Sequence, residues 1–311
     1  MKTIKKKQMF KYIQNNRYFK IEVHPQHDRL YVVIVSQKVL NEFFETVQKI
    51  TLQRLKYVEF ERFYLANELN RLIGDDFASI ITEILKDRES GGFTLNSNCD
   101  LSNHDNYIKL ATALSYCVGK PCFDAMSGNY YAEFAVKHTD NSDTYLRSAY
   151  TSLHLHSDGA YEKEIIDWLL MMKLGEEYAV GGNSKLLHID DWSEQKLFSD
   201  SPIGQEKVER LGAKSKNVEE PQYRPTFFEH NGAKCICFAE QNIKPANMEQ
   251  AIYFRDLFNS IEQSDNLVSL HLPIGELVMI NNLFWLHGRE PFKENEKLYR
   301  VLLRQRGKFL S

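Results

Sequence analysis

The chain has 311 residues, 43% of them hydrophobic and 26% charged, with a net charge of −3. That balance fits a folded globule with a sizeable core, and it supplies no general positive field for nucleic acid or an anionic membrane. No apolar run approaches the roughly 18 residues of a membrane helix, and the lysine-rich Met1–Lys7 lacks an apolar segment after it, so no secretory signal is expected.

The first 120 or so residues read mainly as helix. Val39, Phe43, Val47 and Ile50 recur at helical spacing, as do Phe77, Ile80, Ile81, Ile84 and Leu85, with Asp76 placed to cap the second helix. A third helix is expected over His104–Cys117. From about Tyr130 the texture changes to short segments bounded by Gly, Pro, Asn or Asp. Strands are predicted over Tyr130–Val136, Ser152–His156, Asp167–Lys173, Lys185–Ile189, Cys235–Ala239, Leu267–Leu272, Leu277–Ile280 and Tyr299–Arg304. The apolar run Leu277–Leu286 is read as one strand leading into His287. Helical inserts are expected around Asp191–Phe198 and Ala246–Gln263. The pattern predicts a mainly β chain with helical additions: a jelly-roll core over about 121–311, a helical region over about 1–120, and one domain in all. Cys99, Cys117, Cys122, Cys235 and Cys237 have no zinc-site spacing and are expected to be reduced thiols in a cytoplasmic protein.

The chemistry concentrates in two places. His156-Ser157-Asp158 is an HxD pair, and His287 follows far along the chain in Asn281-Asn282-Leu283-Phe284-Trp285-Leu286-His287-Gly288-Arg289. Two imidazoles and one carboxylate form a facial ligand set for non-haem iron(II), leaving positions open for a co-substrate and dioxygen. In an extended Leu153–Asp158 segment, His154, His156 and Asp158 would all face the interior. A rival set is His154, His156 and His188, which would suit a cupin-like metal site without redox turnover.

Thirteen residues after His287, Arg300 opens a run in which Arg300, Arg304 and Arg306 share one face of a strand. Clustered guanidiniums of this kind call for anions between them, and a carboxylate fits the planar fork through two parallel hydrogen bonds. Gly181-Gly182-Asn183-Ser184 adds close backbone approach and a hydroxyl donor in Ser184.

With these residues in view, the chain resembles the iron(II)/2-oxoglutarate-dependent oxygenases of the clavaminate-synthase and taurine-dioxygenase type, and within them the CsiD family of glutarate 2-hydroxylases. The similarity is carried by Asn129–Tyr131, Leu155–Tyr161, Leu170–Lys173, Gly181–Trp192, Asn281–Arg289 and Arg304–Gly307, within a stretch from about Lys109 to the C-terminus. The resemblance implies a double-stranded β-helix with Fe(2+) on His156, Asp158 and His287. It implies that Arg300, helped by Ser184, holds the distal carboxylate of 2-oxoglutarate, with O2 as the other co-substrate. Arg304 would face the carboxylate of a small dicarboxylate substrate, with Arg306 as a further candidate for either task. It further implies a homotetramer that converts glutarate to 2-hydroxyglutarate in lysine breakdown. The rival within this chemistry is an oxygenase acting on another small carboxylate or a sulfonate.

Overall fold

The computed structural model describes residues 11–74, 76–97, 103–138, 148–212 and 220–310. The lysine-rich N-terminal run and Cys99 lie outside these residues. The strands in chain order are β1 (Gln14–Asn15), β2 (Phe19–His24), β3 (His27–Val35), β4 (Gly92–Asn96), β5 (Gly119–Pro121) and β6 (Ala132–Lys137). Then come β7 (Leu153–His156), β8 (Trp168–Glu177), β9 (Ser184–His188), β10 (Val208–Arg210), β11 (Gln222–Arg224) and β12 (Phe227–His230). The series closes with β13 (Ala233–Ile236), β14 (Ile243–Lys244), β15 (Val268–Leu270), β16 (Leu277–Asn281), β17 (Trp285–Arg289) and β18 (Tyr299–Phe309).

Two sheets dominate. The larger has nine strands in the order β1-β2-β3-β4-β16-β8-β18-β5, with β6 also pairing with β18. The smaller runs β15-β9-β17-β7. In the central strands of the large sheet, alternate side chains enter two different cores. Leu170 and Met172 of β8, with Leu277 and Met279 of β16, join the core shared with the helices. Leu169, Met171, Val278 and Ile280 join the core shared with the smaller sheet. Burial on both faces explains why Trp168–Met172 reads as a continuous apolar run rather than an alternation.

The N-terminal third departs from the mainly helical expectation, since β1 to β4 lie within it. Phe19, Ile21 and Val23 alternate with Lys20 and Glu22, the period of a half-buried strand, and β3 then lies parallel to β4. The helices between them, Gln37–Thr46, Leu52–Tyr57, Glu59–Ile73 and Phe77–Lys86, pack on the outer face of the large sheet together with His104–Val118. Ser36 and Thr51 cap the first two through side-chain oxygens. Asp76 does not cap Phe77–Lys86: it is itself in the helical region, and Asn70 Oδ1 takes the Ala78 N–H instead at 2.9 Å.

Leu277–Leu286 is two strands, one in each sheet, joined by a turn. Asn281 makes the crossing affordable in hydrogen bonds: its Nδ2 donates to Leu85 O at 3.0 Å and its Oδ1 accepts from Leu283 N at 3.0 Å. The expected helical inserts appear as Gln195–Ser199, preceded by a 3₁₀ turn over Ile189–Asp191, and as Met248–Glu262. Among the described residues, Cys117, Cys122, Cys235 and Cys237 are free thiols, and no helix is long and apolar enough to cross a membrane.

Candidate metal centre

The smaller sheet brings the distant candidate ligands together. Strands β7 and β17 are antiparallel neighbours, and His156 lies directly opposite His287. Asp158 follows the end of β7, and its Oδ1 stands 3.7 Å from His156 Nε2 and 3.8 Å from His287 Nε2. All three residues are buried, and their ligand atoms lie within 4.8 Å of one another. Donors about 2.1 Å from one ion in adjacent octahedral positions stand roughly 3 Å apart, so a small contraction around a cation completes the set.

Neighbouring groups fix the ligand chemistry. His156 Nδ1 donates to His154 O at 2.8 Å, which leaves Nε2 as the lone-pair nitrogen facing Asp158. Burial, with His156 alongside, pushes His287 down to about 3, so its imidazole is neutral. Burial alone would raise the Asp158 carboxyl, but Arg304 and Arg306 outweigh it and hold the group well below the usual carboxylate range. Arg304 Nη1 lies 3.0 Å from Asp158 Oδ2 as a charge contact, not an aligned hydrogen bond. The backbone around Asp158 is clamped by Asn282: Oδ1 accepts from Asp158 N at 2.8 Å, and Nδ2 donates to Asp158 O at 3.1 Å and Ile166 O at 2.9 Å.

His154 does not face this centre. The β7–β17 pairing contains a bulge: His156 matches His287, but Leu153 rather than His154 matches Arg289. One extra residue shifts the alternation, so Leu153 and His156 both line the cavity. His154 turns to Glu240, at 2.6 Å, and to the ring of Phe258. His188 is enclosed by Phe284 and Trp285, with Nδ1 accepting from Asp190 N. The set His154, His156 and His188 is therefore not assembled, and among the described residues only His156, Asp158 and His287 form a ligand cluster.

The cavity beside the cluster is walled by both sheets, with Phe134, Met171, Arg300, Leu302 and Arg304 on one side and Leu153, Ser184, His287 and Arg289 on the other. Arg300, Leu302 and Arg304 share the inward face of β18, as the alternation predicts, while Val301 and Leu303 enter the helical core. Arg304 is also held by Asp124 Oδ2 at 2.7 Å, and lies over the Phe134 ring. Arg306 points beyond the cavity to Glu162, with Asp124 Oδ2 at 3.9 Å. Arg300 is different. It is 3% exposed, its Nε has no partner within the described protein, and burial with Arg289 nearby lowers it to about 10. A buried guanidinium of this kind is suited to an anionic partner. The Gly181-Gly182 pair makes room for a ring rather than for a ligand: Gly182 has φ +67, and a Cβ there would lie 2.0 Å from Phe292.

The sequence reading missed Arg289, Asn282 and Asp124. Arg289 was within reach, because two residues past His287 on one strand means the same face. Asp124 gave no signal, since it sits in a loop closed by its pairing with Asn129 and its bonds to Ser127.

Comparison with known proteins gives the following. The CsiD family model matches residues 19–309, which extends the likeness well before Lys109. A glutarate 2-hydroxylase of Citrobacter koseri is 38% identical over 287 residues, covering 91% of this chain and 88% of that protein. One from Salmonella paratyphi B is 35% identical over 299 residues, covering 95% and 92%. Among solved structures, an asparagine oxygenase complexed with Fe(II), 3-hydroxyasparagine and succinate matches with a TM-score of 0.72 at 13% identity, over 89% of this chain and 93% of that one. The non-heme iron oxygenase OrfP with Fe and alpha-ketoglutaric acid matches with a TM-score of 0.66 at 13% identity, with the same coverage. At that identity the two structures bear on the fold alone.

Proposed function

The chain belongs to the CsiD family, and from that premise we propose that it is an iron(II)- and 2-oxoglutarate-dependent oxygenase hydroxylating glutarate. Glutarate, 2-oxoglutarate and O2 give 2-hydroxyglutarate, succinate and CO2. The observation that carries this is the buried His156–Asp158–His287 cluster opening onto a cavity whose far wall holds Arg300, its Nε buried without a hydrogen-bond partner among the described residues. The two facing sheets are read as a double-stranded β-helix, one domain with its flanking helices.

The donor set suits iron(II): two imidazoles, that of His287 kept neutral by burial, and an ionised carboxylate on one side. Bound there with 2-oxoglutarate, the metal supplies the oxidising power that replaces a substrate C–H with C–OH. His156, Asp158 and His287 hold the metal. Arg300 and the Ser184 hydroxyl bind the distal carboxylate of 2-oxoglutarate, and Arg304 orients a substrate carboxylate beside the metal. Arg306 supports that end of the cavity through Asp124 and Glu162. The apolar walls Phe134, Leu153, Met171 and Leu302 keep water out, which strengthens every charge contact inside. A homotetrameric assembly, a place in lysine breakdown and a cytoplasmic setting complete the reading.

The test is an assay of the iron-loaded protein with 2-oxoglutarate and a panel of small acids, including glutarate, its one-carbon-longer homologue and a sulfonate. Succinate and 2-hydroxyglutarate should form one for one with glutarate, and His287→Ala should stop both. A panel in which another acid turns over faster than glutarate refutes the substrate, and full activity of His287→Ala refutes the metal site.

A further inference from the structure

Arg289 raises a separate question, because the roles above leave it unused. It is 5% exposed, lies on the inward face of β17 two residues past His287, and lines the same cavity as Arg300 and Ser184. Ser184 is its direct neighbour across the β9–β17 pairing. Among the described residues its Nη2 donates to Ser148 O and, at 3.1 Å, to Thr151 O, and its Nε is buried without a hydrogen-bond partner. Both guanidiniums stand over the Phe292 ring, Arg289 at 5.0 Å and Arg300 at 5.7 Å from its centroid. Neither forms an ion pair within 4.0 Å among the described residues, and the Glu176 carboxylate opposite Arg300 on β8 does not offset the cost of burial. Two like charges buried over one ring repel each other unless an anion lies between them.

We propose that Arg289 is a second binding residue for the distal carboxylate of the 2-oxo diacid co-substrate, which it shares with Arg300 and Ser184. This rests on the oxygenase reading and sharpens it. A carboxylate has roughly four acceptor positions, enough for one guanidinium fork, a single N–H from the second arginine and a hydroxyl. The arrangement selects a co-substrate with a charged far end. It also ties that end to the iron ligands, because Arg289 O accepts from Ser152 Oγ at 3.0 Å while its side chain holds Thr151, just ahead of β7.

The experiment is calorimetric titration of 2-oxoglutarate into the metal-free protein and into the anaerobic iron(II) protein, alongside KM measurements. It compares wild type, Arg289→Met and Arg289→Lys. Arg289→Met should weaken 2-oxoglutarate binding in both forms by about tenfold or more, the scale of one lost charge-assisted hydrogen bond. The KM for 2-oxoglutarate should rise in parallel while that for glutarate stays near the wild-type value, and Arg289→Lys should fall between. A lower Tm with unchanged 2-oxoglutarate affinity overturns the assignment and leaves Arg289 a tie to the Ser148–Thr151 carbonyls. Should Arg289→Met not fold, wild-type affinity in Arg289→Lys overturns it equally. Wild type that binds no 2-oxoglutarate overturns the oxygenase reading together with this one, whereas normal wild-type binding beside an unaffected Arg289→Met overturns this one alone.

Discussion

At the level of single residues, Arg304 has two loyalties that one substitution cannot separate. It pairs with Asp124 at 2.7 Å and with Asp158 at 3.0 Å, and it is the cation assigned to the substrate carboxylate. Arg304→Leu should raise the KM for glutarate by about tenfold or more and change that for 2-oxoglutarate much less. It should also lower Tm, because the buried Asp124 loses its main partner, a change that typically costs about 3–5 kcal/mol. Adding Asp124→Asn should recover much of the Tm and none of the glutarate affinity. Recovery of both would make Arg304 a structural cation only. The His156–Asp158–His287 cluster was legible because an HxD pair is local, and because a lone His followed by a strand with regularly spaced Arg is a sparse pattern. Asp124 was not, since only tertiary contact turns a loop carboxylate into the counterion of two arginines 180 and 182 positions away.

Among the elements, the pairing of β7 with β17 does the most for the site. Its bulge sets His156 opposite His287 and turns His154 away, and Gly288, within the bulged stretch, lets the two backbones approach closely. A Cβ on Gly288 would meet Leu153 O at 2.5 Å and the His154 carbonyl at 3.2 Å. These are backbone atoms held by the sheet and cannot swing aside. Gly288→Ala should therefore weaken iron(II) binding by an order of magnitude or more while the far-UV circular dichroism of the large sheet persists. Binding equal to wild type would show that the close approach at Gly288 does not hold the ligands in place. Strand alternation, read from sequence, predicts His154 inward, and it fails because a bulge changes the count on one strand without leaving a period of its own. The position of β9 was predicted to within one residue and the starts of β8 and β18 likewise, but β8 runs on to Glu177 and β18 to Phe309, past the predicted ends at Lys173 and Arg304.

For the molecule as a whole, the decisive feature is where β4 sits. It belongs by sequence to the N-terminal third, yet it pairs with β3 on one side and β16 on the other, within the same sheet as β8 and β18. The N-terminal segment is thus continuous in hydrogen bonds with the strands that carry Arg300 and Arg304, in keeping with a family match that begins at residue 19. The helical stripes in this third were legible from apolar spacing, but their neighbour strands were overlooked, and with them the link to the core. A sheet shared in this way predicts one cooperative unit rather than a helical region beside an independent barrel. Calorimetry of the metal-free chain should give a single transition whose van't Hoff and calorimetric enthalpies agree. Deleting the chain through Val35 should not leave a folded remainder, because it uncovers the edge of β4 and strips Ile21 and Val33 from the helical core. Two resolved transitions, or a truncated chain that keeps its iron affinity, would mean that the sheet joins two bodies that fold on their own.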